Sequence, residues 1–370
     1  MDNYVWGNGY ADSVRSPTGA PMTPEQRAWY SWLVGITSSP SMAWVFYWHF
    51  PNLDRIELSE LDRWNRETFA RQIFDTDTRY NKGHIVAMVS SLRGWVESRG
   101  KGSLLSTLGS YIDESPEASF RRVYEEANGF HKFGRMMSWL FAQALYEVAK
   151  LPLAPDTMYV NHPANRSVWN GMCYLYGREK DLTVGDSPPY AGAVPTADDR
   201  RFIEGKESEL MAEARTRVSN QEFLSFYTLE SMVCQFKKLH IGAEFPGANV
   251  GGALRPCLRL KKAWPEVDFR DFDDTMNGPK VGDSIRWIRD TKPLNKIFSS
   301  TGQFLHLDSK YEDLPDMCAE LGFEPGELSG RGGALSDLFD VPSEGFVDEK
   351  AIVEKIARYS KDPRRFVAAE

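Results

Sequence analysis

The 370-residue sequence is short of several things, and each shortage removes a class of protein. It has only four cysteines, Cys173, Cys234, Cys257 and Cys318, far apart and with no CxxC pair. That spacing argues against a disulfide framework or a zinc ribbon and points to a reducing cytoplasm. The six histidines are scattered and do not pair at metal-ligand spacing. No apolar run approaches the roughly 20 residues that a membrane span needs, and mean hydropathy is −0.45. Residues 42–50 make the most apolar stretch, and they include His49. The N-terminus lacks a basic segment followed by an apolar one, so no secretory signal is expected. GxxxxGK[ST], GxSxG, HExxH and a GxGxxG after a strand are all missing. No strands alternate with helices, and no repeat of fixed period emerges.

Charge and aromatic content are present in quantity. Net charge is −8 with 42% hydrophobic residues, enough for a substantial core without staples. Taken alone, the sign of the charge speaks against a nucleic-acid binder. Its distribution changes that reading. Residues 311–350 carry eleven acids against Arg331 and Lys350, a net of −9, which leaves the rest of the chain at +1. Residues 228–264 carry six bases (Lys237, Lys238, Arg255, Arg259, Lys261 and Lys262) against Glu230 and Glu244. A basic middle and an acidic tail permit a DNA substrate without demanding one. Aromatics reach 13%, with eleven Trp. They serve a core or a base-stacking surface equally well.

Helix signals dominate the chain. Thr23-Pro24-Glu25-Gln26 is an N-cap followed by Pro, with Gln three residues on. Trp29, Trp32 and Leu33 follow at helical spacing. Ser39-Pro40 restarts the chain into a buried helix over 42–50, ended by Pro51. Further helices are expected over 58–74, 85–96, 117–127 and 135–150. Residues 151–205, rich in Asn, Gly, Pro and Asp, read as loop. A helix over 207–218 follows, then the capping box Ser219 to Glu222 and the strongest helix of the chain, 223–240. Residues 242–252 read as irregular and 254–262 as a short helix. Beyond Asp268 only 350–359 looks helical.

The expected fold is therefore mainly α. An extended segment, 1–22, leads into one large helical domain with loop-rich insertions, 23–265. An irregular, acidic, loop-rich region, 266–370, packs on it.

Four constellations could carry chemistry. On the helix after Phe226, residues three and four apart share a face, so Tyr227, Glu230, Cys234 and Lys237 form one stripe, with Ser231 and Lys238 beside it. Glu230 is a charge in an apolar helix, which is costly unless paired or functional. Such a carboxylate beside cations serves either a salt bridge or general-base work next to a bound anion. The run 161–173 concentrates donors (Asn161, His162, Asn165, Arg166, Asn170) before an apolar stretch, as in a binding loop or a hydrogen-bonded structural one. Gly129 to Arg135 opens a helix with Lys132 and Arg135, which suits a phosphate. Arg79, Lys82 and His84 sit at another helix start, placed to touch a DNA backbone or simply solvated. Phe245-Pro246-Gly247 is a shaped loop able to close a pocket.

Taken in order, Gly134-Arg135-Met136, Asn165-Arg166 with Asn170-Gly171-Met172-Cys173, Thr228-Leu229-Glu230-Ser231 with Cys234-Gln235-Phe236-Lys237, and Phe245-Pro246-Gly247 resemble the amino acid:DNA transferases of phages that hypermodify thymine. The resemblance covers residues 25–265 and is most specific in the Thr228 to Lys237 helix. Met172 and Phe245 stand where that family more often has Leu and Tyr. The loop before Asn165 carries only Asp156 as an acid, a departure that bears on amino-acid choice more than on reaction class.

The resemblance implies that an amino acid, glycine or serine first among them, displaces pyrophosphate from phosphorylated 5-hydroxymethyluracil in double-stranded DNA. It also implies a 5-hydroxymethyluracil DNA kinase as the upstream partner, and the cytoplasm of an infected bacterial host as the setting. Under it, Glu230 takes the proton from the amine or anchors the ammonium. Arg135 and Lys237 hold the pyrophosphate, and Arg166 pairs with the amino acid's carboxylate. Asn165 and Asn170 orient substrate. Tyr227, Ser231 and Cys234 line the pocket, Cys234 as a packing residue rather than a nucleophile. Arg79, Lys82, Lys132 and Lys238 contact DNA, and base flipping fits the aromatic content.

No resident cofactor is required by this reading. Mg2+ could accompany the pyrophosphate, although no acidic cluster marks a site and Asp273-Asp274 reads as solvated. Two other readings compete: a base-flipping enzyme of the helical DNA-glycosylase type, and a non-catalytic phage DNA-binding protein. A pyridoxal-phosphate enzyme would need an α/β sheet around a Schiff-base lysine, which this pattern lacks.

Overall fold

The computed structural model describes residues 17–71, 81–162, 165–178, 181–182, 196–217, 224–240, 260–261 and 263–269. Those residues are mainly helical and contain no β-strand. They fall into two compact units, the first built from residues up to 156 with 260–269, the second from 157–240. Arg79, the capping box at 219–222, the loop at 242–252, Asp273-Asp274, the acidic stretch 311–350 and the helix expected at 350–359 lie outside the described residues.

The first unit opens with α1 (Pro24–Thr37). Thr23 accepts from the Gln26 N–H, and the Gln26 side chain accepts from the Thr23 N–H, at 3.2 and 3.0 Å. Ser38 ends α1 in the left-handed region at φ 52°. Ser39 then caps α2 (Pro40–His49). α3 (Leu58–Glu67) is followed by a short 3-10 turn at Phe69–Arg71. The helix expected to run on to 74 stops at Thr68, whose hydroxyl donates to the Trp64 carbonyl. The chain then turns Phe69 inward to stack on Trp64, with ring centroids 5.0 Å apart. α4 (Ile85–Ser98), the one-turn α5 (Leu104–Gly109), α6 (Pro116–Asn128) and α7 (Arg135–Glu147) complete the unit.

α1 and α7 form its centre. Gly35 lets them approach closely: a Cβ there would meet Phe141 Cβ at 3.0 Å and the Met137 carbonyl at 3.1 Å. Ser31 donates to the Ala144 carbonyl across the same seam at 3.0 Å. Much of the aromatic content is spent here. Trp29 stacks on Trp32, which stacks on Phe133, and Trp29 Nε1 donates to the Phe50 carbonyl. Residues 260–269 return to this core. Trp264 is buried with ring centroids 6.1 and 6.4 Å from Phe69 and Trp64, and Trp44 Nε1 donates to the Asp268 carbonyl at 2.8 Å. Full burial of one such side chain contributes on the order of 2–3 kcal/mol before conformational entropy is deducted.

The second unit holds α8 (Arg166–Leu175), α9 (Ala197–Arg217) and α10 (Phe226–His240). Two expectations are corrected here. α8 replaces most of the loop read over 161–173. α9 begins ten residues before the expected 207, because Thr196 and Asp199 cap it reciprocally: the Thr196 N–H donates to the Asp199 carboxylate and the Asp199 N–H to the Thr196 hydroxyl. Val168, Trp169, Met172 and Cys173 of α8 pack with Ile203 and Met211 of α9 and with Leu229 and Val233 of α10 in one apolar cluster.

Candidate active site: the α8–α10 pair

α8 and α10 touch almost backbone to backbone. A Cβ on Gly171 would lie 2.6 Å from both the Cγ1 and the carbonyl oxygen of Val233, so only glycine fits. One turn earlier on α8, Ser167 Oγ lies 3.0 Å from Cys234 Sγ. Two of the sequence constellations thus become one packed unit. Asn165, Arg166 and Asn170 belong to α8 or its N-cap, and Tyr227, Glu230, Ser231, Cys234, Lys237 and Lys238 belong to α10.

Burial sorts these residues. Glu230 and Lys237 are 8% and 7% exposed, two oppositely charged groups on one face of α10 about two turns apart. Tyr227 and Asn170 are buried, Ser231 and Cys234 half-buried, and Arg166 is exposed as the first residue of α8. Lys238 lies on α10, and its side chain is outside the described residues. Cys173 is buried within the apolar cluster, Cys234 sits at the cluster's margin, and neither is in a disulfide.

The segment entering α8 is tightly built. Tyr159 takes the left-handed region at φ 51°, rare for an aromatic residue. The Asn165 side chain donates to the carbonyls of Met158 and Tyr159 at 2.9 and 3.1 Å, and the His162 N–H donates to the Tyr159 carbonyl. The Met158 N–H donates to Glu207 of α9 at 2.6 Å, and Arg200 donates to the Asn161 carbonyl. Beyond α8, Arg178 pairs with both Asp181 and Asp199 and lies 4.8 Å over the Phe202 ring. Hydrogen bonds from Thr196, with Arg178 adding its charge, hold the Asp199 carboxyl below the usual range. Burial pushes the Tyr176 hydroxyl up.

Three residues of this framework carry no signal of reactive chemistry: Ser167, Gly171 and Glu207. Ser167 was discoverable. Asn165 followed by Val168, Trp169 and Met172 is an N-cap before an i, i+3, i+4 apolar pattern, which places Ser167 in the first turn.

The first unit carries the remaining candidates. Arg135 opens α7, is 9% exposed, and its guanidinium lies 5.4 Å from the Trp139 ring centroid. Lys132, two residues before the Gly134 N-cap, is exposed at φ 61°. Lys82 is half-buried ahead of α4, and its carbonyl accepts from Asn65. His84 and His131, near the starts of α4 and α7, approach to 6.4 Å between rings. Arg135 and Lys132 thus lie in one unit, and Glu230 with Lys237 in the other. Among the described residues, no three His, Cys, Asp or Glu side chains are grouped to hold a metal, and no helix is long and apolar enough to cross a membrane.

A family model described as amino acid:DNA transferase matches residues 26–244, from α1 to just past α10. The chain belongs to the amino acid:DNA transferase family. The matched stretch takes in helices of both units, and residues 260–269 of the first unit lie beyond it. The chain is also similar to a serinyltransferase of Salmonella phage ViI, 24% identical over 258 residues. The match covers 66% of this chain and 61% of the length of that relative. No solved structure matches the chain.

Proposed function

We propose that the protein transfers an amino acid, serine or glycine, onto phosphorylated 5-hydroxymethyluracil in double-stranded DNA, displacing pyrophosphate. The observation that carries this reading is the direct seating of α8 on α10 through Gly171 and Val233. It brings the segment carrying Asn165 and Arg166 and the helix carrying Glu230 and Lys237 into one unit. The name of the Salmonella phage relative favours serine of the two.

In this reaction the amine nitrogen bonds to the exocyclic methylene carbon of the base, and the bond from that carbon to the pyrophosphate oxygen breaks with its electron pair. The proton shed by the amine passes to the Glu230 carboxylate. Lys237 neutralises the departing pyrophosphate, and Mg2+ accompanying that anion would share the work. Pyrophosphate is a good leaving group, so no covalent enzyme intermediate is required. Catalysis reduces to positioning, proton removal and charge neutralisation. Asn170, Tyr227, Ser231 and Cys234 shape the pocket, and Arg79, Lys82, Lys132 and Lys238 track the DNA backbone. A kinase acting on 5-hydroxymethyluracil must supply the substrate, in the cytoplasm of the infected bacterial host.

Duplex DNA carrying kinase-phosphorylated 5-hydroxymethyluracil, incubated with the protein and each amino acid and digested to nucleosides, tests the reading by mass spectrometry. An amino acid adduct whose formation slows about 10²-fold or more in Glu230→Gln is expected, the usual scale for a lost general base. Abasic sites would support a glycosylase-type enzyme. Bound but chemically unchanged DNA would support a non-catalytic binder.

A further inference from the structure

The junction into α8 contains a buried acceptor with no donor. Asn165 is 1% exposed. Its amide nitrogen is fully used on two carbonyls, which fixes the orientation of the amide. Its oxygen is buried and accepts nothing, and the Asn161 side-chain oxygen four residues earlier is in the same condition. Asn165 is also the N-cap of α8. An Asn in that place ordinarily accepts an N–H from the first turn, yet no side chain caps this helix. The junction is therefore short of two complementary things: a donor for the Asn165 oxygen, and an acceptor for the first-turn N–H groups of Ser167 and Val168. Leaving a buried polar group unpaired costs about 1–3 kcal/mol. A ligand bearing a donor and an anion on adjacent atoms would complete both sides at once, and an α-amino acid has that form.

Resting on the transfer reading above, we propose that the N-terminus of α8 is the subsite for the free amino acid. Its carboxylate sits on the N–H groups of Ser167 and Val168, where the helix dipole favours an anion. Its amino group donates to the Asn165 side-chain oxygen. Ser167 is a substrate-binding residue in this arrangement. The contact between Ser167 Oγ and Cys234 Sγ, 3.0 Å apart, fixes the hydroxyl beside the carboxylate. Cys234 then acts as a positioning residue rather than a nucleophile.

Ser167→Asp provides the test. An acidic residue in the first turn caps the helix itself and suits the dipole, so the fold is retained, while its carboxylate occupies the ligand's place. Adduct formation on the phosphorylated duplex is measured with serine and glycine, and with ethanolamine and methylamine, which carry an amine without a carboxylate. The expected result is a KM for the amino acids raised about tenfold or more, with KM for DNA and the melting temperature held. Preference for serine over ethanolamine should collapse as well, an effect that a general loss of structure would not produce. Ser167→Ala, which deletes only the hydroxyl, should raise the amino-acid KM about two- to fivefold. An unchanged amino-acid KM and an unchanged serine preference in both variants would overturn the subsite and leave the transfer reading standing. Failure of the unsubstituted protein to form an adduct with any amino acid, on substrate verified to be phosphorylated, would remove both.

Discussion

At the scale of single residues, the two helix-contact glycines make a graded pair. Gly171→Ala drives a Cβ against the backbone of Val233, which cannot step aside, whereas Gly35→Ala meets Phe141, Phe133 and the Met137 carbonyl only at 3.0–3.3 Å. Urea unfolding should show Gly171→Ala losing about 3 kcal/mol and Gly35→Ala about 1–2 kcal/mol. The reverse order would contradict the close seating of α8 on α10. Glu147, at the end of α7, gives a pH-dependent case. Burial holds its carboxyl above the usual range, with Lys150 opposing. The folded protein therefore binds a proton that the unfolded chain has already released. Its ionisation weighs against folding as pH rises from the ordinary carboxylate range through the raised value. Glu147→Gln should accordingly be more stable than the parent at pH 7, with the gap narrowing as pH is lowered. A variant less stable at pH 7, or a gap independent of pH, would refute this. Glu230 stood out in the sequence because a charge in an apolar helix is conspicuous. The sequence places Ser167 in a first helical turn and Gly171 in a motif, but what each faces across the α8–α10 seam is set by another helix, and a single sequence does not contain that information.

At the scale of elements, caps decided what was legible. Thr23 with Gln26, and Ser39 with Pro40, start helices by local chemistry that reads directly from adjacent residues. Thr196 and Asp199 use the same chemistry, but the Pro- and Gly-rich stretch before them concealed it, and α9 was expected ten residues late. α5 was not expected at all. At six residues it is too short to persist unaided, and its start is held from a distance: the Glu25 carboxylate accepts the N–H groups of Leu104 and Leu105 at 2.8 and 2.9 Å. Removing that acceptor in Glu25→Ala should cost about 1–2 kcal/mol. Amide exchange should quicken over residues 104–109 ahead of α1 and α7. Uniform acceleration across the first unit would mean that α5 is secured by other contacts.

At the scale of the whole molecule, the mainly α class followed from helical periodicity and the absence of strand patterning, and the described residues bear it out. The division into two units had no such signal, since both are helical and share composition. The order in which the chain visits them has a topological consequence. The chain leaves the first unit after 156, builds the second, and comes back at 260–269, where Trp264 lies against Trp64 and Phe69 and the Asp268 carbonyl receives the Trp44 indole. Among the described residues, the stretch from 157 to 240 thus lies in sequence between two segments of the first unit. A single cut introduced by an engineered protease site between α8 and α9 should therefore release nothing under native conditions. The two pieces should co-elute on size exclusion and part only in denaturant, and because the packing of α8 on α9 and α10 crosses the same cut, Trp264→Ala should lower the denaturant needed without separating them in buffer. The returning tryptophan and the α8–α10 seam are, in effect, two clasps across any such cut.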